Sequence, residues 1–138
     1  MGRDHTTFQQ LGELRLTEAK LLLANGLPSG AYYLAGYAVE CALKAIIAMG
    51  FRANEIPDKS LVNSVYTHNL NELLNLAGLR IPLHDEMSSN PDLKASWTTV
   101  SKWSEHARYE TWTSEAAATM LEAVGAADKG LLQWLQKR

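Results

Sequence analysis

Cysteine is almost missing from this chain of 138 residues, where Cys41 is the single one. That excludes an internal disulfide and any cluster of thiolate ligands, and it fits a reducing compartment. Net charge is nearly absent as well. Thirteen Lys and Arg against fifteen Asp and Glu leave a formal −2, so no global field draws the chain to nucleic acid and any such site must be a local patch. Uninterrupted apolar runs of membrane length, about 20 residues, are lacking: Glu40 and Lys44 break the best candidate. The N-terminal stretch MGRDHTTFQQ has no apolar signal-peptide core. These absences together predict a cytoplasmic protein with no membrane association.

Familiar catalytic signatures are missing too. There is no Gly-rich loop ending in Lys-Ser or Lys-Thr, and no GxGxxG, HExxH or GxSxG. A helical di-iron site needs Glu-x-x-His pairs, yet Glu13, Glu18, Glu72, Glu86 and Glu115 all lack a histidine three residues on. No metal and no cofactor are expected. Sustained strand alternation, internal repeats and low-complexity tracts are also absent.

What is present is helical periodicity. Length and a 46% hydrophobic fraction suit one domain spanning 1–138, with residues 1–5 read as a loose tail. The central stretch is Ala31 to Met49, AYYLAGYAVECALKAIIAM. Leu34, Ala38, Cys41 and Ala45 recur at helical spacing, as do Val39, Leu43, Ile46 and Met49, so both flanks can be buried. A third line, Tyr33, Tyr37, Glu40 and Lys44, carries the strongly polar atoms.

Around this helix the spacing predicts others. A first runs from Thr6 to Asn25 and stops at Asn25-Gly26. Pro28 and Ser29 open the central helix, with Ser29 as its N-cap, and Gly50 closes it. Residues 51–66 read as a connection with a short helical turn near Leu61 to Val65. Asn69 to Ala77 forms a third helix, its Asn69 and Glu72 at capping-box spacing, and Gly78 ends it. Arg80 to Ser89 reads as a connection broken by Pro82. Asn90-Pro91-Asp92 starts a fourth helix ending near Ser104. Thr113 or Ser114 caps a last helix reaching almost to Arg138, in which Gly125 and Gly130 predict close packing or a bend. The fold class is all-α, an antiparallel up-and-down bundle of four or five helices.

Three polar features are candidates for function, each with a plainer reading. Glu40 and Lys44 are an i, i+4 pair in the favoured order: a surface ion pair beside tyrosines that cover the core, or part of a ligand seam. His68 precedes the third helix and either satisfies neighbouring groups or faces a ligand. Trp103, His106, Arg108, Tyr109 and Trp112 fall within ten residues. Arginine beside aromatics binds phosphate and stacks on a base, and it equally locks a loop onto a bundle.

Three blocks resemble the HEPN domains (higher eukaryote and prokaryote nucleotide-binding): AYYLAGYAVECALKAIIA at 31–48, THNLNELLNLAGL at 67–79, and ARY at 107–109. The second has Asn69 where the family's His-Asp-Leu pattern has an acid. The resemblance implies a four- or five-helix bundle, commonly a homodimer, found in toxin–antitoxin and defence systems and often beside a nucleotidyltransferase partner. Many such proteins are metal-independent endoribonucleases that use an arginine followed, after four to six residues, by histidine.

This chain departs from that motif. Arg108 stands at the arginine position, but Thr113, Ser114 and Glu115 occupy the places for histidine. His84 follows Arg80 too closely, across Pro82, and His106 precedes Arg108. The resemblance therefore implies binding of a nucleotide, RNA or partner protein without catalysis, through Tyr33, Tyr37, Glu40, Lys44, His68, Arg108 and Tyr109. The alternative is an atypical endoribonuclease with Arg108 stabilising the phosphorane and His68 or His106 moving the proton.

Overall fold

The structure is a computed structural model that describes residues 4–51 and 56–138. Among the described residues there are eight α-helices, one 3-10 turn and no strand. They are α1 (His5–Ala24), α2 (Pro28–Met49), α3 (Lys59–Val65), α4 (Leu70–Leu76), α5 (Arg80–Ser89), α6 (Pro91–Val100), the turn Glu105–Tyr109, α7 (Ser114–Gly125) and α8 (Leu131–Gln136).

The ends of these helices follow local chemistry. Asp4 caps α1 by accepting the Thr7 N–H at 2.9 Å. His5 is already helical, and its Nδ1 lies 3.0 Å from the Ala45 carbonyl. His5 is therefore tied to α2 and Asp4 to the first turn of α1, while residues 1–3 of the expected loose tail lie outside the described residues. At the far end of α1, Gly26 adopts φ 75°, a left-handed conformation that glycine enters without a Cβ clash. This lets Leu27 N–H reach back to Leu22 O at 2.9 Å, and Gly26 N–H to Leu23 O, the two bonds of a Schellman ending. Gly78 repeats the device after α4, with φ 73° and a Leu79 N–H to Leu74 O bond.

Four expectations are corrected. Ser29 does not cap α2. Leu27 holds the N-cap position without a side-chain bond, Pro28 supplies the preset φ of the first turn, and Ser29 Oγ instead accepts the Trp112 N–H at 2.8 Å. Arg80 to Ser89 is a helix rather than a connection. Pro82 falls in its first turn, where the N–H that proline lacks would have had no helical partner. The last helix is two helices. After Gly125 the chain extends at Ala126 (φ −62°, ψ 142°) and returns so closely that a Cβ on Gly130 would meet the Ala126 backbone at 2.7 Å. Helix α6 also ends at Val100, short of Ser104.

Helix α2 is the centre of the molecule. It packs along α1, against α7, α4 and α8, and against the 3-10 turn. Ala31, Ala35, Ala38, Val39, Cys41, Leu43 and Ala45 are buried, whereas Met49 at its end is exposed. The many alanines let neighbouring helices approach closely, and α1 reaches α2 most tightly at Gly12, where a Cβ would lie 3.2 Å from Ala38 O. By length and composition α2 would suffice to cross a membrane, but 61% of that window is buried inside the molecule, as a core helix requires. Leucines of α4, α5 and α8, with Met120 and Val124 of α7, complete one continuous core with α2.

Candidate functional site

The polar line of α2 faces the start of α4 and the 3-10 turn. Its centre is Glu40, only 2% exposed. A lone carboxylate at such a place would be costly to ionise, and two partners compensate it. Lys44 Nζ lies 3.4 Å from Oε2 one helical turn on. His68 Nδ1, arriving from the loop before α4, lies 3.0 Å from both carboxylate oxygens. The plainer expectation of a surface ion pair is thus overturned: the pair is inside, and Lys44 itself is 12% exposed.

An ionised carboxylate only accepts, so Nδ1–H of His68 donates to Glu40. This sets the tautomer of the neutral imidazole and leaves Nε2 as the ring's acceptor. That nitrogen looks out of the core, 3.5 Å from Oε2 of Glu105 on the 3-10 turn. His68 therefore stands between a buried carboxylate, to which it donates, and a half-exposed one that its acceptor nitrogen faces. Its position is fixed from the sequence side by Asn69, whose Oδ1 caps α4 by accepting the Glu72 N–H at 3.1 Å.

The 3-10 turn is held down by aromatic packing. Trp103 is buried and donates its indole N–H to the Tyr33 carbonyl at 3.1 Å. Its ring occupies the space above Gly36, and a Cβ at that position would fall inside the indole. Gly36 is therefore the seat of Trp103 on α2. On the other side of the turn Trp112 stacks on Tyr32 with ring centroids 3.7 Å apart and donates its indole N–H to Ala107 O at 3.3 Å. Burial, with the nearby Glu110 carboxylate second, pushes the Tyr32 phenol above its ordinary 10.

Because that value is raised in the folded state, the stability linked to Tyr32 is intact below pH 10 and is lost as pH climbs through the raised value. Spectrophotometric titration should show a tyrosine component above pH 10 that Tyr32→Phe removes, with the thermal midpoint falling over the same alkaline interval. Ionisation of Tyr32 at or below its ordinary value would contradict the buried stack.

Between these anchors lies a polar pocket of about 260 Å³, lined by residues 67–71 of the α4 entrance and by Ser101, Trp103, Ser104, Glu105 and His106. The candidate residues divide around it. His68 and His106 both line it. Arg108 does not: it is exposed, its guanidinium carbon sits 4.9 Å from the Tyr109 ring centre, and Tyr109 first, then Tyr33, keeps it firmly cationic. Among the described residues Arg108 pairs with no carboxylate; its partners are Tyr109 on the turn and Tyr33 on α2. Tyr33 and Tyr37, rings 6.0 Å apart, border a shallow groove with Leu11, Arg15 and Leu34. Among the described residues no group of three or more His, Cys, Asp or Glu could hold a metal ion.

Glu105 was not among the residues singled out from the sequence, although it adjoins His106. Its signal was weak, since nothing local distinguishes it from other surface acids. Trp103 stands among the sequence candidates, but nothing in its spacing pairs it with Gly36. Comparison of the chain with family models, with curated proteins and with solved structures finds no match in any of the three.

Proposed function

We propose that the chain is a HEPN-type bundle that binds a nucleotide or RNA without cleaving it, on the face formed by α2, the α4 entrance and the 3-10 turn. The observation that carries this reading is Arg108. It is an exposed cation unclaimed by any carboxylate among the described residues, held over Tyr109 and beside Tyr33, on the same turn that closes the polar pocket. Arginine offers a phosphate paired donors, and tyrosine rings offer bases a stacking face. In this reading the protein is a cytoplasmic homodimer that serves a toxin–antitoxin or defence role with a nucleotidyltransferase partner. Those parts rest on the resemblance of residues 31–48, 67–79 and 107–109.

One arrangement favours the alternative of an atypical endoribonuclease. The buried Glu40 orients His68 as a carboxylate orients a general base. Against it, the arginine is not among the groups that line the pocket with His68 and His106, whereas phosphoryl transfer needs cation and imidazole converging on one phosphate.

Equilibrium titration with nucleoside monophosphates and short single-stranded RNAs should give saturable binding. Arg108→Ala, at an exposed position, should weaken it about tenfold, the loss of one charge-assisted contact of some 1.5 kcal/mol. Binding indifferent to Arg108→Ala would remove the support for this face.

A further inference from the structure

The Glu40–His68–Glu105 chain leaves an arrangement that the binding reading does not use. With Nδ1–H of a neutral His68 directed at Glu40, Nε2 offers a lone pair. The nearest polar atom to which it is paired is Glu105 Oε2, 3.5 Å away, itself an acceptor. Two acceptors thus stand side by side at the rim of the pocket. A partner for such a pair is a planar edge carrying two adjacent N–H donors.

We infer that this pocket is a guanine-selective base site, with Glu105 and His68 Nε2 accepting from the adjacent N1–H and N2–H of the base. Among the common bases only guanine presents two neighbouring donors on its Watson–Crick edge, the edge by which unstacked bases are read. Adenine and cytosine each place a ring acceptor beside their amino group, which would face the Glu105 carboxylate with no hydrogen between. Uracil has a single N–H flanked by carbonyls.

The rest of the pocket suits the same ligand. The Asn69 side chain uses its Oδ1 to cap α4, so its NH2 remains as a donor for the guanine O6. Leu70 and Trp103 supply apolar lining for a ring, and His106 lines the same pocket. The volume of about 260 Å³ is enough for a base. Arg108 lies three residues beyond Glu105 on the turn, about 6 Å along a 3-10 axis, where it can meet the nucleotide's phosphate. This inference rests on the nucleotide-binding reading and names the ligand within it. An arginine side chain carries the same paired donors, and the test separates the two sources.

The experiment is calorimetric titration of the full chain with GMP, IMP, AMP, CMP and UMP, and with N-acetylarginine amide. IMP lacks only the 2-amino group. The expected result is that GMP binds at least about tenfold tighter than any other nucleotide, the discrimination of one good bidentate contact. In Glu105→Gln, whose fold is checked by circular dichroism, GMP and IMP should then agree within about threefold, because a neutral amide no longer favours two donors. His68→Gln provides a second variant should Glu105→Gln fold poorly.

Equal affinities for the five nucleotides, all weakened alike by Arg108→Ala, would overturn guanine selectivity and leave nucleotide binding standing. No binding of any nucleotide would overturn both. Glu105-dependent binding of N-acetylarginine amide with none of GMP would overturn this assignment in favour of a protein ligand.

Discussion

Replacing Gly36 by alanine is expected to cost about 3 kcal/mol or more, far beyond the usual effect of adding one methyl to a helix. Alanine is the better helix former by roughly 1 kcal/mol, so local propensity predicts the opposite sign. Space decides the outcome. The added Cβ would lie within the Trp103 indole, so the ring must leave a site where it is 4% exposed. Expelling a buried tryptophan forfeits most of its burial, worth about 3–5 kcal/mol in truncation experiments. It also breaks the indole N–H bond to Tyr33 O and frees the turn that carries Glu105 and Arg108.

The check is a double-mutant cycle in urea. Gly36→Ala and Trp103→Leu should each destabilise strongly, and together should cost clearly less than their sum, a coupling of about 1–3 kcal/mol. Strict additivity would mean that the ring does not sit over Gly36.

Replacing Glu40 by alanine is expected to be comparably severe, for an electrostatic reason. The carboxylate is 2% exposed and Lys44 12%, so removing the acid leaves a desolvated ammonium without compensation. Breaking a buried pair in this way costs about 3–5 kcal/mol. For a chain of this size the thermal midpoint should fall by on the order of 10 °C. Glu40→Gln keeps the shape and should remain strongly destabilised, since the uncompensated charge is what matters. The double variant Glu40→Leu with Lys44→Met should recover much of the loss, because two charges replaced by packed apolar groups no longer need each other. Should Glu40→Gln prove as stable as the parent, the carboxylate is not ionised against Lys44.

Both predictions depend on contacts that no stretch of sequence displays. The helix ends were legible because their causes are local. Asn69, Asn90 and Thr113 each accept an N–H three residues ahead, and Gly26 and Gly78 take the left-handed turns that stop α1 and α4. Pro82 misled because a proline that breaks a helix interior is harmless in a first turn, and the boundary of α5 lies only two residues before it. The break after Gly125 was signalled by two glycines, but a bend and an interruption have the same local signature.

The site was legible in part for the same reason. Tyr33, Tyr37, Glu40 and Lys44 share a helix face by periodicity alone. That Glu40 is buried depends on His68 and the 3-10 turn covering it, contacts across 28 residues and more. The five aromatic and basic residues 103–112 also looked like one unit and are two. Trp103 and Trp112 anchor the turn, while His106, Arg108 and Tyr109 are carried on its surface. Distance in sequence hides the partners, and the partners decide which polar groups are structural and which remain available.

Whether this face binds RNA without cutting it is tested most directly by one denaturing gel. End-labelled single-stranded RNA is incubated in EDTA with the protein at saturating concentration, beside Arg108→Ala, while retention of the RNA is measured on the same samples. The account predicts RNA retained by the parent, retained poorly by Arg108→Ala, and full-length in every lane. Metal-independent fragments from the parent that disappear with Arg108→Ala would contradict it, and would make Arg108 part of a nuclease.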